Sequence, residues 1–226
     1  MKHPESVVPT PWDAKIFGMD TYEILSLDEA TLQSISSLHG HFTIKVDPLL
    51  STELLHRYDF YYCDTQIDPF CLEEDFVAYN SDSVSVLHDI DIEELVKLSQ
   101  GAYSHGRFHR DFNIRNELAD LRYDSWLGQL HQTGRVIGLA YKNALAAYFA
   151  CENSKVLLHA IDRKLQGKGL AKYLWTAGYR ELFNAGHREV SSCISVANMP
   201  VLNLYRALGF KFRNPVDVYH KFNPPK

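Results

Sequence analysis

The sequence predicts an α/β fold, a mixed and mainly antiparallel central sheet flanked by helices, and two observations carry that reading. Three strand-like runs stand in a row, at 136–142, 145–152 and 156–161, separated only by turn residues such as Asn143, Asn153 and Ser154. Connections that short join antiparallel neighbours. These runs are apolar on both faces, so helices must cover both sides of the sheet. Helical periodicity on either side of them supplies the covering elements.

In chain order, the first ~80 residues are less regular. They hold strand-like runs at 22–26 and 41–46, a helical stretch around 49–57 and a further aromatic strand at 60–67. The small polar residues Asn80, Ser81, Asp82 and Ser83 interrupt the pattern. They set the expected boundary between a smaller N-terminal lobe, 1–82, and a main domain, 83–226. A strand at 84–87 opens the main domain. A helix at 91–102 follows, with Ile92, Leu95, Val96 and Leu98 on one stripe and acidic residues in its first turn. After a polar, aromatic stretch at 103–113, a second helix spans 115–129. Beyond the meander come a helix at 169–185 closing at Gly186, a strand at 189–196, a helix at 200–208 and a last strand at 216–222. One weak internal echo links the two parts. Leu54 to Asp64 and Leu202 to Arg213 both run amphipathic helix, turn, aromatic strand, as a degenerate half-copy would.

Composition excludes several function classes. With 46% hydrophobic and 23% charged residues the chain is that of a soluble globular protein. A net charge of -5 leaves no general basic face for nucleic acid or an anionic membrane. No apolar run reaches the ~20 residues of a membrane span, and the N-terminus lacks the apolar region of a secretory leader. Cys63, Cys71, Cys151 and Cys193 are scattered without CxxC spacing, as expected of free thiols in a cytoplasmic protein. No histidine pair has helical metal-ligand spacing, so no metal is expected; His56, His105 and His109 are the alternative ligands.

The segment carrying chemistry follows the third meander strand: Gln166, Gly167, Lys168, Gly169, Leu170 and Ala171. Glycines at 167 and 169 permit positive φ and bring backbone N–H groups close to a ligand. The loop opens into a helix whose first N–H groups and dipole favour an anion such as a pyrophosphate. Arg163, Lys164 and Lys168 add positive charge. By itself the pattern is neither GxGxxG nor a Walker loop, and a tight turn before a helix would also explain it.

In this setting the segment resembles the coenzyme-A loop of the GNAT superfamily of N-acetyltransferases, Gln/Arg-x-x-Gly-x-Gly/Ala, with Gln166, Gly169 and Ala171 at the defining positions. The meander before it, and Asn198 and Tyr205 to Phe210 after it, match as well, over roughly 84–226. The resemblance implies acetyl-CoA as co-substrate. Leu158, His159, Ala160 and Ile161 would line the pantetheine arm, residues 166–171 would hold the pyrophosphate, and Asn198 would lie near the arm. It also implies that the phenol of Tyr205 protonates the departing thiolate. A phenol of pKa ~10 can serve a thiolate whose thiol has pKa ~8.5; the bland reading of Tyr205 is a core aromatic. The general base is not assigned. His159, Glu152 and a water chain all remain open.

On the acceptor side, Arg107 and Arg110 are expected to grip a phosphate and Phe108 or Phe112 to stack on a ring, against the alternative of a solvated loop with surface arginines. With Pro11 to Gly18, Ser104 to Phe108 and Tyr123 to Trp126, the chain is similar to the dTDP-fucosamine acetyltransferase type. That similarity implies transfer to the amino group of a nucleotide-linked amino deoxy sugar, in cell-surface polysaccharide biosynthesis. Another small amine, an amino acid, an antibiotic or a protein amine is the alternative acceptor, and a non-catalytic coenzyme-A-binding module the alternative class. A homodimer through the N-terminal lobe or the last strands is compatible with the sequence, which gives no interface.

Overall fold

In a computed structural model the chain is described over residues 5–225; residues 1–4, part of the stretch read above for a leader, and Lys226 lie outside the described residues. The elements are β1 (Val7–Pro9), α1 (Pro11–Phe17), β2 (Thr21–Ile24), α2 (Glu29–Ile35), β3 (Gly40–Val46), α3 (Glu53–Arg57) and β4 (Tyr61–Leu72). Then come β5 (Val84–Leu87), α4 (Ile92–Ser99), α5 (Asn116–Gln132), β6 (Val136–Tyr141), β7 (Ala144–Glu152) and β8 (Lys155–Ile161). The chain ends with α6 (Ala171–Asn184), β9 (Glu189–Ser192), β10 (Ile194–Ser195), α7 (Met199–Ala207) and β11 (Lys211–Asn223).

These elements form two units: Met1–Gln66, His105–Arg122 and Pro215–Lys226 in one, Ile67–Ser104 and Tyr123–Asn214 in the other. The expected boundary at 82/83 falls within the second unit. A run of small polar residues signals a turn, and the turn is there. Where the chain changes unit is set by long-range strand pairing, which composition does not report.

In the first unit β1 and β2 are antiparallel, β2 and β3 parallel, and β3 takes the end of β11 as antiparallel neighbour, from Asp217↔Val46 to Asn223↔Gly40. In the second unit β5 to β8 form an antiparallel run, β8 and β9 pair in parallel, and β9 takes the end of β4, Phe70↔Ser191 to Leu72↔Glu189. The turns after α3 and α7 close with the same hydrogen bonds. The Phe60 N–H donates to the Leu55 carbonyl (2.9 Å) and the Phe210 N–H to that of Tyr205 (3.1 Å). Each turn passes through a left-handed residue, Asp59 (φ 58°) or Gly209 (φ 86°). In this correspondence Leu55 stands where Tyr205 stands.

Helices cover both faces of the second unit's sheet. Ala147 and Phe149 pack with Leu174, Trp175, Tyr179 and Tyr205 of α6 and α7, while Tyr148 and Ala150 pack with Leu95, Leu127 and Leu130 of α4 and α5. Gly178 sets the spacing of α6 above β7, because a Cβ there would meet the Phe149 ring at 2.7 Å.

The first unit is organised around one buried carboxylate. Asp111 Oδ2 accepts from His41 Nε2 (2.8 Å) and His220 Nδ1 (2.7 Å); Oδ1 accepts from the Tyr61 hydroxyl (2.9 Å) and the Asn113 N–H (2.8 Å). Burial pulls the Asp111 pKa up, but the hydrogen bonds from His220 and His41 outweigh it and hold the carboxyl well below its usual range. Burial pushes the His220 imidazole down to about 3, so it donates as a neutral ring.

Asp111→Ala strands the two buried histidines and two partly buried donors and is expected to cost about 3–5 kcal/mol in urea denaturation, with Asp111→Asn, which keeps an acceptor, costing less. The pH dependence has a definite sign. The His220 pKa is lower folded than its unfolded value of ~6.5. Its stabilising contribution is therefore complete above pH ~6.5 and lost as pH falls toward its folded value of about 3. Melting temperature should drop across that window, and His220→Gln should flatten the drop; an unchanged slope would exclude this histidine as its source.

Candidate functional site

The site begins with a defect in strand pairing. β8 and β9 are paired only at Lys155↔Ser191 and Val156↔Ser192. Along its other edge β8 follows β7, but Val156 faces Cys151 while Leu158 faces Ala150, so Leu157 is an extra residue on β8. Such a bulge bends its strand and sharpens its twist. It falls directly after the last β8–β9 pair, and residues 157–161 run on without a β9 partner among the described residues. Backbone groups on that edge of β8 are therefore open to an extended ligand. Leu158 and Ala160 are buried toward α4 and α5. The His159 ring points the other way, 5.2 Å from Trp175 and 5.9 Å from Tyr205 by ring centroids. Burial pushes its imidazole down to about 4.

Beyond β8 the chain is wound tightly into the loop. The Asp162 carboxylate accepts from the Lys164 N–H (2.8 Å), and the Gln166 side-chain amide donates to the Ile161 carbonyl (3.3 Å). Gly167 and Gly169 lie at φ 71° and 72°. Residues 166–169 are exposed. α6 then starts at Leu170 without a side-chain cap, whereas α2, α4 and α7 are capped by Asp28, Asp91 and Asn198. The first N–H groups of α6, at the positive end of its dipole, are left for an anion beside Lys168. These features fit a pyrophosphate.

Tyr205 sits under the point where the strands part. It is fully buried, and its oxygen accepts a hydrogen bond from the Tyr179 hydroxyl (2.9 Å). Burial pushes its phenol up to about 12, opposed by the neighbouring Ser192, Tyr179 and Trp175. The Trp175 indole N–H belongs to this polar group but makes no hydrogen bond of normal geometry. Ser192 commits its hydroxyl to the Val156 carbonyl (2.9 Å), at the last β8–β9 pair.

The other predicted residues fall as follows. Asn198 caps α7, accepting from the Val201 N–H at 3.4 Å. Glu152 ion-pairs with Arg135 at the β7–β8 turn, well along the strand from His159. Arg107, Phe108 and Arg110 lie in the first unit. Phe108 is only 2% exposed, packed on Phe17 with the Arg107 guanidinium 4.6 Å above its ring. Arg110 donates to the fully buried Asp64 (2.9 Å). Phe112, by contrast, is 80% exposed.

Among the described residues one group could hold a metal ion, His41, Asp111 and His220. It escaped the sequence reading because its members are far apart in the chain. Both rings already point at one carboxylate oxygen at hydrogen-bond distance. Tyr179, Ser192 and the Leu157 bulge were likewise missed, since nothing in their local sequence sets them apart from ordinary core and strand residues.

Comparison with known proteins gives the family and the fold. The profile of the Acetyltransferase (GNAT) family matches residues 92–210, more than half of the chain. The chain belongs to that family of acetyltransferases, whose acyl donor is acetyl-CoA. No curated protein matches the sequence. Among solved structures, the chain is similar to a functionally unknown conserved protein from Staphylococcus epidermidis (11% identity, 99% of this chain and 93% of that one, TM-score 0.67). It is also similar to a tandem GNAT protein from the clavulanic acid biosynthesis pathway (13%, 91% and 76%, 0.55). A GNAT-family acetyltransferase from Colwellia psychrerythraea is a third (13%, 85% and 69%, 0.54). At such identities the likeness is one of fold. None of these comparisons supports the narrower dTDP-fucosamine type. Among the described residues no helix is long and apolar enough to cross a membrane.

The loop can be tested directly. Space around Gly169 is open, so Gly169→Ala meets no atom, but it forces a side chain into positive φ at about 1–2 kcal/mol. Its dissociation constant for coenzyme A, by calorimetry, should rise about tenfold; an unchanged constant would place the pyrophosphate elsewhere.

Proposed function

We propose that the chain transfers an acetyl group from acetyl-CoA directly to a primary amine of a small molecule, in the opening between β8 and β9. The observation that carries this reading is the coincidence of three features in the second unit: a strand edge freed by a bulge, an uncapped helix N-terminus at its end, and a buried phenol under the fork.

In this reading the free backbone edge of residues 157–161 holds the pantetheine arm extended, and a backbone N–H near Leu158 polarises the thioester carbonyl. The N–H groups of 166–171 hold the pyrophosphate. The neutral amine nitrogen bonds to the acetyl carbon, the carbon–sulfur bond breaks, and Tyr205 supplies the proton that the sulfur takes. The amine's surplus proton leaves through His159 or water. His159 suits an acceptor role in one respect, since burial keeps it neutral at pH 7.

The finer reading of the acceptor, a nucleotide-linked amino deoxy sugar, rests on the arginines and aromatics of 103–113. Less of that segment is available than its sequence suggests. A phosphate would compete with Asp64 for Arg110, and Phe108 is packed away, so Phe112 is the ring left to stack.

Thiol release from acetyl-CoA, screened against nucleotide-linked amino sugars, polyamines and amino acids, is expected to show turnover with a nucleotide sugar. Turnover with simple amines alone would overturn the acceptor while leaving acetyl transfer in place. Tyr205→Phe should lower kcat about a hundredfold and leave coenzyme-A binding intact; wild-type turnover in that variant would remove Tyr205 from the chemistry.

A further inference from the structure

Tyr179 lies about two turns inside α6, away from every residue assigned above to coenzyme contact, and it is fully buried among Phe76, Phe149, Tyr205 and Phe210. A tyrosine so placed needs a partner for its hydroxyl, and a core backbone carbonyl would serve. Its hydroxyl instead donates to the oxygen of Tyr205 at 2.9 Å.

We infer that Tyr179 is a positioning residue for acetyl transfer, directing the Tyr205 proton toward the departing sulfur and stabilising the phenolate left behind. The inference rests on the acetyl-transfer reading above and adds a residue to it.

A phenol oxygen carries one proton and two lone pairs. With a lone pair occupied by the Tyr179 proton, the Tyr205 proton cannot point back along that line. Ser192, whose hydroxyl donates to the Val156 carbonyl, also neighbours the Tyr205 oxygen, and its own oxygen keeps lone pairs. With Tyr179 donating, the Tyr205 proton is the one of the pair that is free to pass to a sulfur in the fork between β8 and β9. When it passes to sulfur, Tyr205 becomes a phenolate in an apolar surrounding, and a donor already aimed at that oxygen strengthens as the charge appears. Solvent then returns a proton to Tyr205 once the product has left, and Tyr179 keeps its own throughout.

The surroundings hold Tyr179 in this role. Its ring is wedged at centroid distances of 5.0 Å to Phe149 and 4.8 Å to Phe210. The adjacent Gly178 lets α6 close on Phe149. Tyr179→Phe keeps all of these ring contacts and removes one oxygen atom, so the variant should fold.

The test is a double-mutant cycle of Tyr179→Phe and Tyr205→Phe, read as kcat, as KM for acetyl-CoA with the best amine of the acceptor screen, and as the coenzyme-A dissociation constant. Tyr179→Phe alone should lower kcat about ten- to hundredfold, the worth of a hydrogen bond to a charged group, with KM and binding unchanged. In the Tyr205→Phe background it should lower kcat no further, because its effect passes through that oxygen. An equal loss in both backgrounds, or a loss of coenzyme affinity at constant kcat, would show packing alone and overturn the inference. A wild-type protein that binds coenzyme A but acetylates no amine would instead overturn the acetyl-transfer reading.

Discussion

One extra residue in one strand sets the geometry of the second unit. Without the bulge at Leu157, β8 would continue beside β9 past Val156↔Ser192 and bond its N–H and C=O groups to the sheet. With it, that edge of β8 is bare where the sheet would otherwise be closed. Unpaired backbone groups are tolerated only where water or a ligand can reach them. The bulge therefore creates the opening, and the bare backbone groups there suit an extended molecule with alternating acceptors and donors. The Ser192–Val156 hydrogen bond fixes the last pair, and so the apex of the fork is fixed as well.

Helix α6 connects the two ends of the site. Its uncapped first turn faces the exposed loop, and Tyr179, about 12 Å further along the axis at 1.5 Å per residue, reaches Tyr205. Because Gly178 lets the helix sit directly on the Phe149 ring, the helix cannot tilt without breaking a close-packed contact. The exposed, glycine-containing loop and the buried Tyr179–Tyr205 hydroxyl pair are thereby joined through one helix. The proposed acetyl transfer would use this arrangement, since a thioester held at one end would need its sulfur placed closely at the other.

Much of this unit is legible in the sequence. The meander strands are marked by asparagines that take up left-handed φ, Asn143 at 65° and Asn153 at 52°, and α4 to α7 follow their apolar stripes to within a few residues. The first unit reads less clearly because its elements are short. α1 and α2 span seven residues each and β1 three, too few for a periodicity to emerge. Tertiary partners are harder still. Arg110 reads as a free cation until Asp64 arrives from 46 positions away, and Phe108 reads as a loop aromatic until Phe17 packs against it. The bulge has no composition of its own: Leu157 is one leucine among apolar neighbours, and its place is decided by the pairing on both sides.

The two units also show how little a shared local fold says about chemistry. Both have a strand antiparallel to a second, which pairs in parallel with a third across a helix, and both then turn through a left-handed residue into a long strand. Yet β2 and β3 pair without interruption from Thr21↔His41 to Ile24↔Ile44, so no edge is freed. The helix between them begins with Asp28, whose carboxylate takes the Thr31 N–H and whose charge repels an anion. And Leu55, which has no proton to give, stands at the position of Tyr205. Each difference is a single residue or a single register step, and each touches one feature on which the proposed acetyl transfer rests. At matching places in the two halves, the second thus departs from the first by a bulge, by a helix start without the capping carboxylate of Asp28, and by a tyrosine hydroxyl where the first has Leu55.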